Sequence, residues 1–375
     1  MKKASLFISI IIFIISCFIA YDVINRKEEI HFIPTIKEID DGVKSIKFKV
    51  DTFYLAIGES EKLNYDIESS KDDYKLTWSS ENEDIVSISD GKIVGVNLGT
   101  SVVTLKSESG KKAEVSVTVT DLIRKPELDD KKKFLPCHAY TEEEAHIIDE
   151  ALRTRVLNKG EGTRAALIET IRFMTLSFKY KVSYFYENGR MHESGVRKAD
   201  GEGRYYHKGL YLSEDKFKDI KVSHKGPAIW GCPLTNLQDH NRYKPGAKMP
   251  NGLDCSGFVT WSLYNSGLDV GDIGAGINDR HKDMSDVGEM HSLTYEYANS
   301  GDYKVGDVIA RWGHTALIAG KDSEYLYIAE SLLKGVRIEK VSYKNPNSSL
   351  YKYYAYINKM DKEYSKNDDY MDMWE

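Results

Sequence analysis

The chain has 375 residues, of which 41% are hydrophobic and 29% are charged, and its formal net charge is −6. A chain of this length can bury more than one hydrophobic core, so we expect at least two folded domains. The basic residues form no dense stripe, and the net charge is negative. Composition therefore argues against a nucleic-acid partner, whose phosphates would require clustered cations.

The first 26 residues contain an export segment. Two lysines precede an uncharged, largely apolar run from Ala4 to Tyr21. Positive charges before such a run keep the N-terminus in the cytoplasm, so we expect the following residues to lie outside it. We favour an uncleaved transmembrane anchor over residues 1–26, followed by a stalk over 27–43. Cleavage of the segment and lipidation at Cys17 are the alternatives.

Export changes the interpretation of the three cysteines that follow. Disulfides persist outside the cytoplasm, and an odd number of cysteines leaves at least one thiol free. The candidate bridge joins Cys137 to Cys232, with Cys255 as the remaining cysteine. No pair has the Cys-x-x-Cys spacing of a zinc site, and His138 is isolated. We therefore predict no metal site and no other cofactor.

Residues 44–121 alternate apolar and polar side chains with a period of two. This alternation predicts short strands, and the glycines at turn positions around Trp78 favour an all-β sandwich. Four segments carry a resemblance to a known domain: Leu55–Glu59, Trp78–Ser80, Ile85–Ile88 and Gly91–Val96 followed by Gly99 and Thr100. They resemble the bacterial Ig-like domain of group 2. The resemblance implies a spacer or a module that binds a cell-wall or surface polymer, and we favour the spacer.

A charged linker over residues 122–139 leads into a helical region. Thr141 and Glu144 have the spacing of a capping box, which predicts a helix start. Apolar residues at helical spacing predict a second helix from Thr163 through Met174.

Cys255 occupies the first turn of a third predicted helix. Asp254 is a favourable N-cap residue, and Gly267 is a suitable C-terminal stop. At a helix N-terminus the backbone N–H groups and the helix dipole stabilise a thiolate and can hold an oxyanion. Ser256 is small enough to leave room for a substrate. We therefore predict Cys255 as a catalytic nucleophile, with a buried structural cysteine as the alternative.

His314 is the predicted base for this nucleophile. It precedes two apolar, β-prone segments that are separated by the loop Gly320–Glu324. If the strands pair directly across this loop, His314 falls opposite Glu330, with Cβ atoms about 5 Å apart. Glu330 would then hold the imidazole as the third member of a triad. A slip of one residue would turn Glu330 to the other face of the sheet.

Three segments together resemble the NlpC-type papain-like cysteine peptidases of bacterial cell walls: Gly252–Val259, Gly306–Val308, and Gly313–His314 before an apolar strand. The resemblance covers about residues 140–358. It implies hydrolysis of peptidoglycan stem peptides, often between a D-γ-glutamyl residue and diaminopimelate or lysine, with Cys255 as nucleophile and His314 as base. Glu330 departs from the family, in which the third residue is commonly His, Asn or Gln.

The substrate contacts of the family are less well matched. Its Tyr-x-Trp-Gly-Gly segment normally lies shortly before the cysteine, whereas Tyr184–Gly189 lies about seventy residues upstream and Ile229–Gly231 is a competing match. We predict that Tyr184 contacts the substrate or the oxyanion, with core packing as the alternative. Asp254 and Ser256, which flank the nucleophile, are further predicted substrate contacts.

The sequence thus predicts a multidomain fold, with an N-terminal transmembrane helix, an all-β Ig-like sandwich, an α+β papain-like cysteine peptidase domain over 140–358 and an acidic tail over 359–375. The predicted function is an extracytoplasmic cysteine endopeptidase that acts on peptidoglycan stem peptides through a thioester. A peptidoglycan amidase and a catalytically inactive surface-binding protein are the alternatives. The predicted partners are peptidoglycan peptides, a wall or surface polymer at the Ig-like domain, and the membrane at the N-terminal segment.

Overall fold

The computed structural model describes residues 21, 40–128, 131–185, 207–208, 211–212, 220–222, 230–236, 244–249, 251–268, 270 and 287–366. Two units follow one another along the chain. Residues 43–119 form a β unit, and residues 142–366 contribute helices and a six-stranded sheet to a C-terminal unit.

Nine strands build the β unit. They are β1 (Val43–Phe48), β2 (Thr52–Leu55), β3 (Ser60–Lys62), β4 (Tyr65–Ser69), β5 (Leu76–Ser80), β6 (Val86–Ser89), β7 (Lys92–Gly95), β8 (Gly99–Ser107) and β9 (Lys112–Val119). The sheet orders are β2-β9-β8-β5 and β3-β7-β6, and β1 pairs with β4. Alternate residues of β8 and β9 are buried, as the period of two predicts, and face a core that includes Phe53 and Leu105.

The C-terminal unit contains five α-helices and a π-helical turn among the residues that the structure describes. They are α1 (Glu142–Lys159), α2 (Arg164–Arg172), a π-helical turn (Phe173–Ser177), α3 (Cys255–Asn265), α4 (Tyr295–Ser300) and α5 (Ser349–Tyr353). At the start of α1 the hydroxyl of Thr141 accepts from the Glu144 N–H at 3.2 Å, and the Glu144 carboxylate accepts from the Thr141 N–H at 2.8 Å. The predicted capping box is therefore confirmed.

The strands of the six-stranded sheet are β15 (Glu289–Ser292), β16 (Val308–Arg311), β17 (His314–Lys321), β18 (Tyr325–Leu332), β19 (Gly335–Ser342) and β20 (Tyr356–Lys359). Their order in the sheet is β15-β20-β16-β17-β18-β19, and all neighbouring strands are antiparallel. Helix α3 packs against β17 and β18. Short strands precede α3: β10 (His207–Lys208), β11 (Tyr211–Leu212), β12 (Ile220–Val222), β13 (Leu234–Asn236) and β14 (Lys248–Met249).

The predicted fold class, a multidomain chain with an N-terminal transmembrane helix and an α+β papain-like domain, is wrong. Strands account for 36% of the structure and helices for only 22%. The balance shifts towards strands because alternating apolar residues build both the β unit and the C-terminal sheet. Among the residues that the structure describes, no helix is long and apolar enough to cross a membrane. The segment 1–26, on which the transmembrane prediction rested, lies outside those residues except for Tyr21.

Buried polar contacts fix the β unit to helix α1. Arg155 on α1 donates to both carboxylate oxygens of Glu59, at 2.8 and 2.9 Å, and to the backbone oxygen of Tyr54 at 2.8 Å. Asn64 donates two hydrogen bonds of 2.8 Å to Asn158, from its backbone N–H to Oδ1 and from its side-chain amide to the backbone oxygen. Because Arg155 is only 1% exposed, separating the two units would leave its charge without these partners.

The disulfide and the C-terminal residues also hold the C-terminal unit together. Cys137 and Cys232 form the predicted disulfide, and Cys255 lies outside it. Within the predicted acidic tail, Asp361 pairs with Arg164 at 3.0 Å, and Tyr364 donates to the Gly306 carbonyl at 2.7 Å. The first residues of that tail are therefore packed against α2 and the sheet.

Candidate active site

Cys255 is held at the first turn of α3 by the cap that the sequence predicts. The Asp254 carboxylate accepts from the Gly257 N–H at 2.6 Å and from the Ser256 hydroxyl at 3.2 Å. Cys255 itself is buried, with 7% of its surface exposed. Asp254 and Ser256, predicted as substrate contacts, thus contribute to the cap, which orients the cysteine towards the helix N-terminus.

The segment before Cys255 is fixed on two sides. Leu253 donates from its N–H to the Ser183 carbonyl at 3.0 Å and accepts from the Phe185 N–H at 3.4 Å, which places Tyr184 beside it. The Ser331 hydroxyl on β18 also donates to the Leu253 carbonyl, at 2.7 Å. A Cβ on Gly252 would collide with the Ser183 carbonyl, so this close approach requires glycine. Tyr184 is half-buried near the segment before Cys255.

The competing match to the family segment lies deeper. Trp230 is fully buried and packs against Trp261 of α3, with ring centroids 5.3 Å apart. Its position supports the helix that carries Cys255. Ile229 lies outside the described residues.

His314 and Glu330 form a buried pair on neighbouring strands. The distance from His314 Nε2 to Glu330 Oε2 is 2.9 Å, and the two residues are 6% and 2% exposed. An ionised carboxylate only accepts hydrogen bonds, so Nε2 is the protonated nitrogen in this contact. This tautomer leaves Nδ1 as the nitrogen that can accept a proton from a thiol.

The register that produces this contact differs from the predicted one. We expected His314 to lie directly opposite Glu330, but Ile318 pairs with Ile328. Continuing this register places Glu330 level with Ala316, two residues from His314. A shift of two residues keeps both side chains on one face, so the predicted contact forms diagonally across the strands.

A β-bulge at Ala319 preserves this common face. Between the bulge and the turn, Gly320 pairs with Tyr327. Without the extra residue, that register would place Glu330 opposite Leu317 and on the other face from His314. The bulge at Ala319, five residues from His314 along β17, therefore determines that His314 and Glu330 share a face of the sheet.

Two further residues contact Glu330 that sequence reasoning missed. Arg337 on β19 donates twice to Oε1, at 2.7 and 3.0 Å, and Tyr354 donates to Oε2 at 2.8 Å. The tight turn before Gly335 was a usable signal, because a two-residue hairpin there pairs Glu330 with Arg337, as observed. Tyr354 follows α5 and has no comparable local signal.

These donors keep Glu330 ionised. Burial raises the pKa of Glu330, but the hydrogen bonds from His314, Arg337 and Tyr354 outweigh it and lower the pKa to about 2. Burial and the neighbouring carboxylate raise the pKa of Tyr354 far above its ordinary value, so its hydroxyl remains a donor. The site thus holds a fixed negative charge behind the imidazole.

A cavity of about 220 Å³ opens beside the His314–Glu330 pair. Its lining residues come from four strands and α5 with the residue after it: Arg311, His314, Glu330, Leu332, Arg337, Glu339, Val341, Ser349, Leu350, Tyr353 and Tyr354. The cavity combines an apolar floor with charged groups at its walls, which suits a small polar substrate group.

Strand β18 connects the two halves of the site. Its consecutive residues Glu330 and Ser331 point to opposite faces, because side chains alternate along a strand. One holds His314 and the other holds the segment before Cys255. The cysteine at the N-terminus of α3 and the imidazole backed by Glu330 are thus both anchored at the same end of β18, but Cys255 is not among the residues that line the His314 cavity.

Cys137, His138 and Cys232 also lie close together, with potential ligand atoms within 4.8 Å of one another. The disulfide consumes both sulfurs of this group. It therefore offers no thiolate ligand for a metal ion.

Comparisons with known proteins leave this site without a named relative. No family model and no curated protein matches the chain. Among solved structures, it is similar to domains 4 and 5 of the S-layer protein SbsC, with 20% identity and a TM-score of 0.19 over 21% of this chain and 52% of that one. A structure of SbsC domains 4–9 has 19% identity and a TM-score of 0.20, over 27% of this chain and 18% of that one. The chain thus spans about half of the first structure and under a fifth of the second.

Proposed function

We propose that this protein is a cysteine hydrolase that cleaves peptide bonds of peptidoglycan stem peptides. The observation that carries the proposal is the buried His314–Glu330 pair on the strands against which the Cys255 helix packs. The resemblance of the Gly252–Val259 and Gly313–His314 segments to NlpC-type cell-wall peptidases supports the substrate class.

The mechanism follows from the tautomer of His314. Nδ1 takes the proton of the Cys255 thiol, and the thiolate attacks the scissile carbonyl. Backbone N–H groups in the first turn of α3 stabilise the tetrahedral oxyanion. The C–N bond then breaks as His314 returns the proton to the leaving amine, and a water molecule, deprotonated by His314, hydrolyses the thioester. Glu330 stabilises the imidazolium that forms in both half-reactions.

The Cys137–Cys232 disulfide supports a location outside the cytoplasm, because structural disulfides persist in oxidising compartments. Peptidoglycan, the proposed substrate, also lies outside the cytoplasm. The β unit, fixed to α1 by Arg155, would act as a spacer that moves together with the hydrolase site.

Turnover on purified cell walls tests the proposal, with mass spectrometry of the released muropeptides to identify the bond. We expect wild-type protein to release peptides, and Cys255→Ala and Cys255→Ser to release none while keeping the wild-type circular dichroism. Cleavage between sugar and peptide would indicate an amidase. An absence of products with the wild-type chain, or full activity after alkylation of Cys255, would contradict the proposal.

A further inference from the structure

The two most exposed large hydrophobic side chains that the structure describes lie at one end of the six-stranded sheet. Trp312 is 72% exposed in the turn between β16 and β17, and Leu333 is 85% exposed in the turn between β18 and β19. Because β17 and β18 are neighbouring antiparallel strands, both turns project from the same end of the sheet, about 10 Å apart. Large apolar side chains exposed at adjacent turns indicate an interaction surface.

A third apolar side chain adjoins the second turn. Phe134 is 48% exposed, and its ring lies against Gly335, where an added Cβ would stand 2.7 Å from Phe134 Cε1. The backbone of Phe134 bridges to Lys181, and the next residue, Val182, accepts from the Val336 N–H of β19 at 3.0 Å. Phe134 therefore extends the apolar set beyond β19, which is the edge strand of the sheet.

Basic side chains accompany these apolar ones. Each of the three has an exposed basic neighbour in the chain: Arg311, Lys334 and Lys133. Neither hairpin turn, nor the segment 131–134, contains an acidic residue. This end of the sheet thus combines protruding apolar groups with local positive charge, although the net charge of the chain is −6.

We infer that this end of the sheet docks on a membrane surface that contains anionic phospholipids. The apolar side chains enter the interfacial layer, where tryptophan is favoured, and the basic side chains contact the lipid phosphates. This inference goes beyond the proposed hydrolase function and does not depend on it.

Two other occupants fit these side chains less well. A protein partner requires a contiguous, complementary patch, whereas a bilayer accepts separate apolar side chains that protrude from one end of a sheet. A sugar ring of the cell wall can stack on the indole of Trp312, but it makes no use of Leu333 or of the cations. Only the anionic membrane surface uses all of these groups.

Quenching of Trp312 by lipid tests the inference with the full chain. The chain also carries the apolar run from Ala4 to Tyr21, so cosedimentation with vesicles does not by itself report on the turns. The probe is mixed phosphatidylglycerol and phosphatidylcholine vesicles with brominated acyl chains, which quench a tryptophan that enters the bilayer. We expect wild-type emission to be quenched, and Trp312→Phe to lose most of this quenching because it removes the indole.

The quenched fraction at saturating lipid gives the ratio of docked to undocked protein. Leu333→Asp should lower this ratio by about tenfold or more, because it replaces a buried apolar contact by a charge that the lipid phosphates repel. Lys334→Gln should lower it by about fivefold, the effect of one cation near an anionic surface. Pure phosphatidylcholine vesicles should lower it by a similar factor for each cation that contacts a phosphate.

Leu98→Asp is the matched control. Leu98 is a 54% exposed leucine between β7 and β8 of the β unit, outside both hairpin turns. Its replacement should leave the quenched fraction at the wild-type value. Cosedimentation of wild type without quenching of Trp312 would overturn the inference and assign membrane binding to another segment. Equal quenching of wild type and Leu333→Asp would also overturn it, as would a response of Trp312 to soluble wall glycan and none to vesicles.

Discussion

Two buried ionic clusters of this protein contain similar residues but differ in their location and in their exposure to solvent. The junction cluster, Arg155 with Glu59 and Glu169, lies between α1, α2 and the β unit, and each of its side chains is at most 4% exposed. The site cluster, His314, Glu330, Arg337 and Tyr354, lies beside a cavity, and its arginine side chain is 25% exposed. One cluster is closed to solvent, and the other opens to it.

The difference lies in which polar atoms have already found partners. In the junction cluster Glu59 accepts from Arg155 and from the Ala56 N–H, so its oxygens are used to fix two units together. In the site cluster Glu330 accepts hydrogen bonds from His314, Arg337 and Tyr354. The imidazole of His314 is held through Nε2, and its Nδ1 can still bind another partner. We expect mutations in the first cluster to change stability, and mutations in the second to change turnover.

The largest expected effect is that of Glu330→Ala on turnover. Removing the residue that orients and charges the base of a triad lowers kcat by up to about 10⁴-fold. Glu339→Ala is the control, because Glu339 also pairs with Arg337 but does not contact His314; its turnover should stay within a few-fold of wild type. Steady-state kinetics on muropeptides measures both, and equal losses would separate Glu330 from catalysis.

Arg155→Ala should have the largest effect on stability. It leaves Glu59 buried without its ion-pair partner, which costs about 3–5 kcal/mol in the free energy of unfolding. Arg153→Ala removes an exposed arginine of the same helix that pairs with Glu150 at 3.1 Å, and should cost under about 1 kcal/mol. Urea denaturation compares the two. Similar losses would mean that the junction is not closed to water as the structure has it.

The pH dependence of stability distinguishes Glu330 from a solvated carboxylate. Its pKa of about 2 in the folded protein is below its ordinary value of 4.5, so its contribution is complete above 4.5 and is lost as the pH falls towards 2. This lowering of the Glu330 pKa corresponds to about 3 kcal/mol in the free energy of unfolding. The stability difference between wild type and Glu330→Gln should therefore be constant above about pH 5 and shrink below it. A difference that does not vary between pH 5 and pH 2 would contradict the low pKa.

Tyr354→Phe should reduce turnover by about tenfold, because it removes one of the two donors to Glu330 Oε2 and a hydrogen bond to a charged group. Tyr353→Phe is the control. Tyr353 is exposed, and its ring, which stacks under Arg311, is kept. If both variants match wild type in kcat, Tyr354 supports the fold and not the carboxylate.

The sequence predicted the parts of the site that depend on local signals. Asp254 caps α3, and strands follow His314 because short-range capping and alternation rules decide them. The strand register was wrong by two residues, since no local rule places a bulge at Ala319. The contact with Glu330 survived because an even shift preserves the face.

Long-range contacts were beyond this reasoning. Arg155 and Glu59 are 96 residues apart, and their pairing depends on how the β unit docks on α1. The β unit was expected to act as a spacer, and the structure joins it to α1 through buried charges. The sequence signal was that Arg155 continues the helical spacing of the apolar residues Ile148 and Leu152, and an arginine on a buried face requires a partner.

Of the variants in the two clusters, Glu169→Gln should change the free energy of unfolding least. Burial and the nearby Glu61 raise the pKa of Glu169 in the folded protein, so the folded state favours the protonated carboxyl. A raised pKa means that wild-type stability falls as the pH rises from about 4.5 towards that pKa, and Gln mimics the protonated form without this cost. We expect stability at pH 7 to be unchanged or higher by up to about 1 kcal/mol, whereas Glu59→Gln, which disturbs the bidentate pair, should lower it by about 3 kcal/mol or more. Comparable losses in both variants would show that Glu169 is ionised and shares the charge of Arg155 with Glu59.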